Sequence, residues 1–273
     1  MSSRGLRITV HVTAVLCAVV TLLPLAWMLA ASFMPAGQAT ATPPRFWPEP
    51  FTLAHYQALF QRLNLGRYLF NSAFLATTVT LLSLLLNSMA GYAFAKLRSA
   101  RRDRLFRVLL AAMVIPAQVA MLPLFLMLKH MGLVNTYWGV IIPGMASIFG
   151  IFLIRQYTLT IPDSILDAAR LDGAGELRIY WSVVLPLIRP ILVTLAIFTF
   201  MGTWNDFMWP LIVLTDDRMY TLPVALANLM GEHVQDTELM MAGAVLTILP
   251  VMVLFTALQR HYVEGLILGG VKA

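Results

Sequence analysis

The sequence predicts an all-α, polytopic membrane protein that crosses the bilayer six times, with both ends on the cytoplasmic side. Three observations carry that expectation. Of the 273 residues, 59% are hydrophobic and 12% charged, and the mean hydropathy is +0.79, too apolar for a soluble domain of this length. The apolar residues gather in runs of about 20 or more, the length a helix needs to cross about 30 Å of hydrocarbon. Lys and Arg then sort by connector: with six spans, 14 of the 19 fall on the side of the N-terminus and 5 on the other, which is the positive-inside pattern.

The spans follow in order. Residues 8–33 form the first, preceded by Arg4 and Arg7. Ala30, Ala31 and Ser32 would also suit a cleavage site, but the run is longer than a usual signal-peptide core. His11 is expected at the interface. Pro35, Pro43, Pro44, Pro48 and Pro50 mark an outside loop, and FTLAHYQALFQRL has helical spacing but too few apolar residues to span, so it reads as an interfacial helix. Residues 68–95 form span two, with Asn71 and Ser72 at its start and Asn87 within. Lys96, Arg98, Arg101, Arg102, Arg104 and Arg107 then crowd a cytoplasmic connector. Residues 105–128 form span three, broken at Pro116 and Pro123, with the kinks expected to face protein. Span four, residues 138–157, opens on the interfacial anchors Tyr137 and Trp138. Residues 191–214 and 240–258 form spans five and six, joined by a polar, acidic outside loop at 215–239. The whole chain, 1–273, is read as one transmembrane domain.

Between spans four and five lies IPDSILDAARLDGAGELRIYWSVVLPLIRP, residues 161–190, which is neither a span nor a plain connector. Ser164 stands three residues before Asp167, a capping-box spacing just after Pro162. Ile165, Leu166, Ala168, Ala169 and Leu171 follow with more apolar surface than a solvated helix needs. Gly173 supplies the stop and Gly175 loosens the turn. Glu176 opens a second helix, LRIYWSVV, expected to end at Leu185 because a residue before proline is pushed out of helical geometry. The predicted unit is a cytosolic helix, turn and helix. An amphipathic hairpin floating on lipid is the alternative, but such a hairpin carries a cationic face. Here Asp163, Asp167, Asp172 and Glu176 outnumber Arg170, Arg178 and Arg189, a mixture that suits a protein partner.

Several chemistries are not expected. Basic residues in short connectors answer to membrane topology rather than to nucleic acid. Cys17 is the one cysteine, which leaves no disulfide framework. The lysines, Lys96, Lys129 and Lys272, each lack a preceding glycine, so no phosphate loop is available. Gly173-Ala174-Gly175 lacks the third glycine and the strand of a dinucleotide site. The histidines, His11, His55, His130, His233 and His261, are scattered, so neither a metal site nor a catalytic relay is predicted. Asp206 is an intramembrane acid that a proton-coupled secondary carrier would use as a relay. That alternative has no paired basic residue in the spans to support it.

Asp167-Ala168-Ala169, then Gly173, then Val183-Val184-Leu185-Pro186 resembles the EAA loop of the membrane subunits of bacterial ABC importers. Asp167 replaces the usual Glu, and Val183 the usual Ile. MVIPAQVAMLPLFLMLKHMGLVNTYWGVIIP, GTWNDFMWPL and the ending EGLILGGVKA are similar to the carbohydrate branch, around the smaller permease of the maltose and glycerol-phosphate systems. The resemblance implies a type I ABC importer permease fold in a bacterial or archaeal inner membrane, without enzymatic activity of its own. It implies that Asp167, Ala168, Ala169, Asp172, Gly173, Leu185 and Pro186 couple to an ATPase. It also implies partners: a second homologous permease chain, two ATPase copies that use ATP and Mg, and an extracytoplasmic solute-binding protein. No cofactor is expected on this chain. The cargo would be a carbohydrate or polyol phosphate, and Trp204, Asn205, Asp206 and Trp209 are candidates for its path, since aromatic faces cover sugar rings and amides and carboxylates bond hydroxyls. Belt tryptophans and helix-end bonds are the structural alternative for those four. Asp216, Asp217, Glu232, Asp236 and Glu238 offer a candidate surface for the binding protein, and the resemblance places the tail, residues 269–273, against the ATPase.

Overall fold

The computed structural model describes residues 3–43, 45–61, 64–97, 99–232 and 236–270, and every regular element among them is helical. In chain order these are α1 (Ser3–Ala31), α2 (Ala54–Gln61), α3 (Leu65–Lys96), α4 (Ala100–Ala112) and α5 (Ala117–His130), followed by α6 (Trp138–Gly144), α7 (Ile148–Thr158), α8 (Asp163–Leu171) and α9 (Glu176–Ile179). A π-helical turn, Tyr180–Val184, leads into α10 (Leu185–Leu187) and α11 (Arg189–Trp204). Then come α12 (Met208–Val213), a 3-10 turn at Asp217–Met219, α13 (Leu222–Glu232) and α14 (Thr237–Gly270). Four segments, Thr9–Ala31, Leu65–Lys96, Trp138–Thr158 and Thr237–Ala257, are long and apolar enough to cross a membrane, and the number rises to 6 if each of two bent pairs is one span.

The predicted span three is broken at Pro116 but not at Pro123. α4 and α5 meet at 106°, and the turn through Met113, Val114 and Ile115 is held by short-range bonds to Leu110, Ala111 and Ala112. Pro116 sits there in extended geometry (ψ 133°) as the cap of α5, without an N–H to continue α4. Pro123 is carried inside α5. Both prolines are exposed on this chain. Span five also stops early. α11 ends at Trp204, and α12 is a separate helix that begins at Met208.

The chain divides into two compact units, residues 1–66 with 225–250, and residues 67–224 with 251–273. In the first, α1 leaves Val10, Leu16, Val20 and Leu22 exposed, as a helix surrounded by lipid does. The proline-rich stretch after it is tied down locally. Tyr56 donates to Ser32 (2.8 Å), His55 Nε2 meets the Met34 carbonyl (2.9 Å), and the rings of Phe33 and Phe51 stack at 4.5 Å. Glu238 lies fully buried in the first turn of α14 and accepts from Ala39 N–H at 2.7 Å. It therefore leaves the candidate binding-protein surface, because its carboxylate is already used to hold the loop. The expected polar loop at 215–239 is likewise corrected: its middle is α13, whose Leu222, Val224 and Ala225 are buried.

In the second unit α3 is the central element, packed differently at its two ends. Near its start Leu75 and Val79 join Leu128, Val140, Ile141, Trp209 and Val213 in one core. Asn71 donates to the carbonyls of Arg218 and Tyr220 (2.9 Å each), and Ser72 accepts from Leu222 N–H (2.7 Å). Further along, buried Asn87 accepts from Ser147 N–H at 3.0 Å while donating to Ser83 at 2.6 Å. Span four is interrupted between α6 and α7 at that point, and the Asn87 amide satisfies the freed backbone donor, as a broken helix at membrane depth requires. α3 and α7 then come close at Gly91, where a Cβ would stand 2.6 Å from Ile154 Cγ2.

Candidate functional site

The 161–190 loop folds as α8, a turn, α9, the π turn and α10. Ile161, Leu166, Ile179, Tyr180, Val184 and Ile188 are buried with Tyr92 of α3, Ile154 of α7, and Ile191 and Leu195 of α11. Its inner face thus belongs to the core of the unit. Its outer face is bare: Leu171 is 89% exposed, Leu177 64% and Trp181 50%, beside exposed Ala168, Asp172 and Gly173.

The capping box is not formed. α8 starts two residues earlier, with Pro162 at the cap in extended geometry and no side-chain cap bond, so Ser164 is already inside the helix. Asp163 takes the first turn and binds Lys96 Nζ at 2.6 Å, while Asp167 turns to Arg170 (2.8 Å) three residues on. The stop at Gly173 holds. Its φ is +80°, Gly173 N–H donates to Arg170 O and Ala174 N–H to Ala169 O at 3.0 Å each, which is the Schellman closure. The second helical stretch does not end at Leu185. Leu185 is helical (φ −56°, ψ −44°), and its N–H reaches Tyr180 O, so the wide π turn carries the chain past Pro186 and the bend comes at Ile188. The arm Glu176–Leu187 then meets α11 at 80°.

Arg170 is the hub of the turn. Its Nη1 donates to Asp167 and its Nε to Glu176 Oε1, each at 2.8 Å, and the other Glu176 oxygen accepts from Tyr92 hydroxyl at 2.5 Å. The Arg170 guanidinium, then the Tyr92 hydroxyl, hold the Glu176 carboxyl below its usual range, and the bonds to Glu176 and then Asp167 keep Arg170 firmly protonated. Lys96 also donates to Ile161 O (2.6 Å), and Tyr180 hydroxyl meets Ser88 Oγ at 2.7 Å. Between α8 and the end of α3 this leaves a cleft of about 440 Å³ bordered by Lys96, Asp163, Asp167, Arg170 and Glu176. Ser88, Tyr92 and Lys96 carry no motif that marks them in the sequence beyond the topological charge of Lys96. Their spacing of four and eight residues along one helix was the available signal.

The other candidate group lies apart from the loop. Trp204 is buried and stacks on Phe200 (5.8 Å), and Trp209 is buried with its Nε1 donating to Gly139 O at 3.0 Å. Asp206 accepts from Trp209 N–H at 3.3 Å, helping to start α12, and Asn205 is exposed, with its amide on Met201 O (2.9 Å). Of the outer acids, Asp216 is half-buried and held below the usual carboxylate range by the Arg218 N–H, and Asp217 is exposed. Asp236 stands 3.7 Å from His55. Glu232 is the last residue of α13. No set of His, Cys, Asp or Glu suited to a metal occurs among the described residues. Residues 271–273 of the tail lie outside them, as do Pro44, Arg62, Arg98 and His233.

A helical membrane subunit with a helix-turn-helix packed on its spans is the class these features define. Residues 87–267 match the family of binding-protein-dependent transport system inner membrane components, and the chain belongs to that family. It is an inner-membrane permease component of a bacterial ABC transport system. The arabinooligosaccharides transport system permease protein AraQ of Halalkalibacterium halodurans is 37% identical, over 93% of this chain and 92% of the relative. The lactose transport system permease protein LacG of Rhizobium radiobacter is 32% identical, covering 94% and 93%. The sn-glycerol-3-phosphate transport system permease protein UgpE of Yersinia enterocolitica is 29% identical over 97% of each. Among solved structures, a chain of a bacterial ABC transporter involved in the import of the acidic polysaccharide alginate superposes with a TM-score of 0.83 at 25% identity, covering 96% of this chain and 99% of the other.

Proposed function

We propose that this chain forms half of the translocation pathway of an ABC importer for an oligosaccharide or polyol phosphate, and that the 161–190 loop couples it to a separate ATPase on the cytoplasmic side. The observation that carries the coupling is the bare outer face of a loop whose inner face is core. Leu171, Leu177 and Trp181 present apolar surface next to Asp172 and Gly173, on a unit too well packed to rearrange when a partner binds. Asp167, Ala168 and Ala169 form the adjoining helix, and Leu185 and Pro186 lie where the loop returns to the span. ATP and Mg belong to the ATPase pair, since the chain has no glycine-lysine phosphate loop. A second permease chain completes the pathway and a solute-binding protein delivers the cargo. The names of the relatives support the cargo class. For the path itself, Asn205 and Asp206 remain the open candidates, because the rings of Trp204 and Trp209 are occupied within this chain.

Reconstitution tests the reading. Vesicles holding the permease pair, ATPase and binding protein should accumulate a labelled oligosaccharide only with ATP. The chain alone, under a proton gradient, should accumulate none. Uptake by the chain alone would establish a proton-coupled carrier instead. Unchanged affinity and rate in Asn205→Ala and Asp206→Ala would remove both from the path.

A further inference from the structure

Three hydroxyl or ammonium groups lie along one stripe of α3: Ser88, Tyr92 and Lys96, each about 40° further round the helix than the last. Each meets a different part of the 161–190 loop. Ser88 bonds Tyr180 in the π turn (2.7 Å), Tyr92 bonds Glu176 at the start of α9 (2.5 Å), and Lys96 bonds both Ile161 O and Asp163 at the start of α8 (2.6 Å each). The partners are 65 to 92 residues away in sequence, whereas the spans joined to the loop by the chain itself are α7 and α11. Lys96 is drawn in, its side chain 6% exposed, although Asp163 is 63% exposed.

Apolar packing alone would bury this surface, but it is non-directional and lets two elements slide. Directed hydrogen bonds at three points, spread along two turns of helix, fix the loop against α3 both along and around its axis. The middle one is continuous with the Arg170 hub, so a displacement of Asp167 or the Gly173 turn is passed to Glu176 and then to Tyr92.

We infer that Ser88, Tyr92 and Lys96 are positioning residues that lock the loop to α3 and make α3, rather than the sequence-adjacent spans alone, the receiver of its motion. This rests on the coupling reading above. A thiol introduced by Phe70→Cys, at the exposed far end of α3, with Cys17→Ser as background, reports movement of that helix in the assembled importer. The probe is ATP with orthovanadate, and the measurement is the maleimide labelling rate. The parent complex should change its labelling rate severalfold on trapping. Tyr92→Phe, which removes one hydroxyl, should shrink that change about threefold, and Ser88→Ala, Tyr92→Phe and Lys96→Met together about tenfold or more. The ATPase should still co-purify with both variants. Lys96→Arg, which keeps charge and donors, should respond like the parent. A full response in both the single and the triple variant overturns the inference, as does a parent complex whose α3 does not respond. Failure of the parent chain to retain the ATPase would instead overturn the coupling reading beneath it.

Discussion

Gly173 has a φ of +80° with nothing within 4 Å of where a Cβ would stand, so the glycine is required by backbone conformation and not by crowding. Gly173→Ala should therefore cost about 1 kcal/mol through left-handed strain alone. A lowered thermal midpoint of the purified chain, with weaker ATPase retention, is the expected outcome, and a midpoint equal to the parent's would exclude the strain. Glu176 supplies the pH dependence. Its carboxyl is held below its ordinary value of 4.5, so the bonds it makes with Arg170 and Tyr92 stabilise the turn fully above that value and are lost as the pH falls through the lower folded one. Exchange of the Gly173 and Ala174 amides, corrected for intrinsic rate, should stay flat from about pH 8 to about pH 5 and accelerate below about pH 4. Glu176→Gln should accelerate it at neutral pH. Gly173 as a stop was legible because one residue and its neighbours decide it. The partner of Asp167 was not, since a Ser164 cap and an Arg170 pair are both within a turn's reach, and Pro162 settled the choice by starting α8 two residues early.

Close approach and repair set the character of the elements. α3 meets α7 where Gly91 faces Ile154, and a methyl there would overlap Ile154 Cγ2 at 2.6 Å. Gly91→Ala should destabilise by about 1–3 kcal/mol, and Ile154→Ala in the same chain should recover part of that loss, because the second change removes the obstructing atoms. Additive losses in the double-mutant cycle would refute the contact. Asn87→Ala should cost about 1–3 kcal/mol by leaving the Ser147 N–H unsatisfied at the break in span four. Pattern alone located the four long apolar helices, because twenty apolar residues are a property of the local sequence. It misjudged Pro186. Pro116 turns the chain through 106°, with the turn bonded back onto Leu110, Ala111 and Ala112, whereas Pro186 is carried inside a helix that the Leu185 N–H continues by reaching Tyr180 O. The helix at Leu222–Glu232 was hidden among acids that mark only the ends of the 215–239 stretch.

For the molecule as a whole, the function depends on other chains, and the clearest expectation is negative: no uptake by the isolated permease, and ATP-dependent uptake by the full assembly, read as labelled oligosaccharide retained in vesicles. What composition and charge made legible was the class of protein, since apolar runs and basic connectors are summed over the entire sequence. What they left illegible were ties between residues far apart, such as Tyr92 with Glu176 and Asn71 with Tyr220, which depend on how the helices come together. The burial of the loop's inner face has a practical corollary. Residues 161–190 are not a portable module. Cut out as a peptide, they would leave behind Tyr92, Ile154 and Leu195, expose Leu166 and Ile179 to water, and lose the lysine that anchors Asp163. A graft of the folded loop into another permease would have to carry the end of α3, from Ser88 to Lys96, along with it.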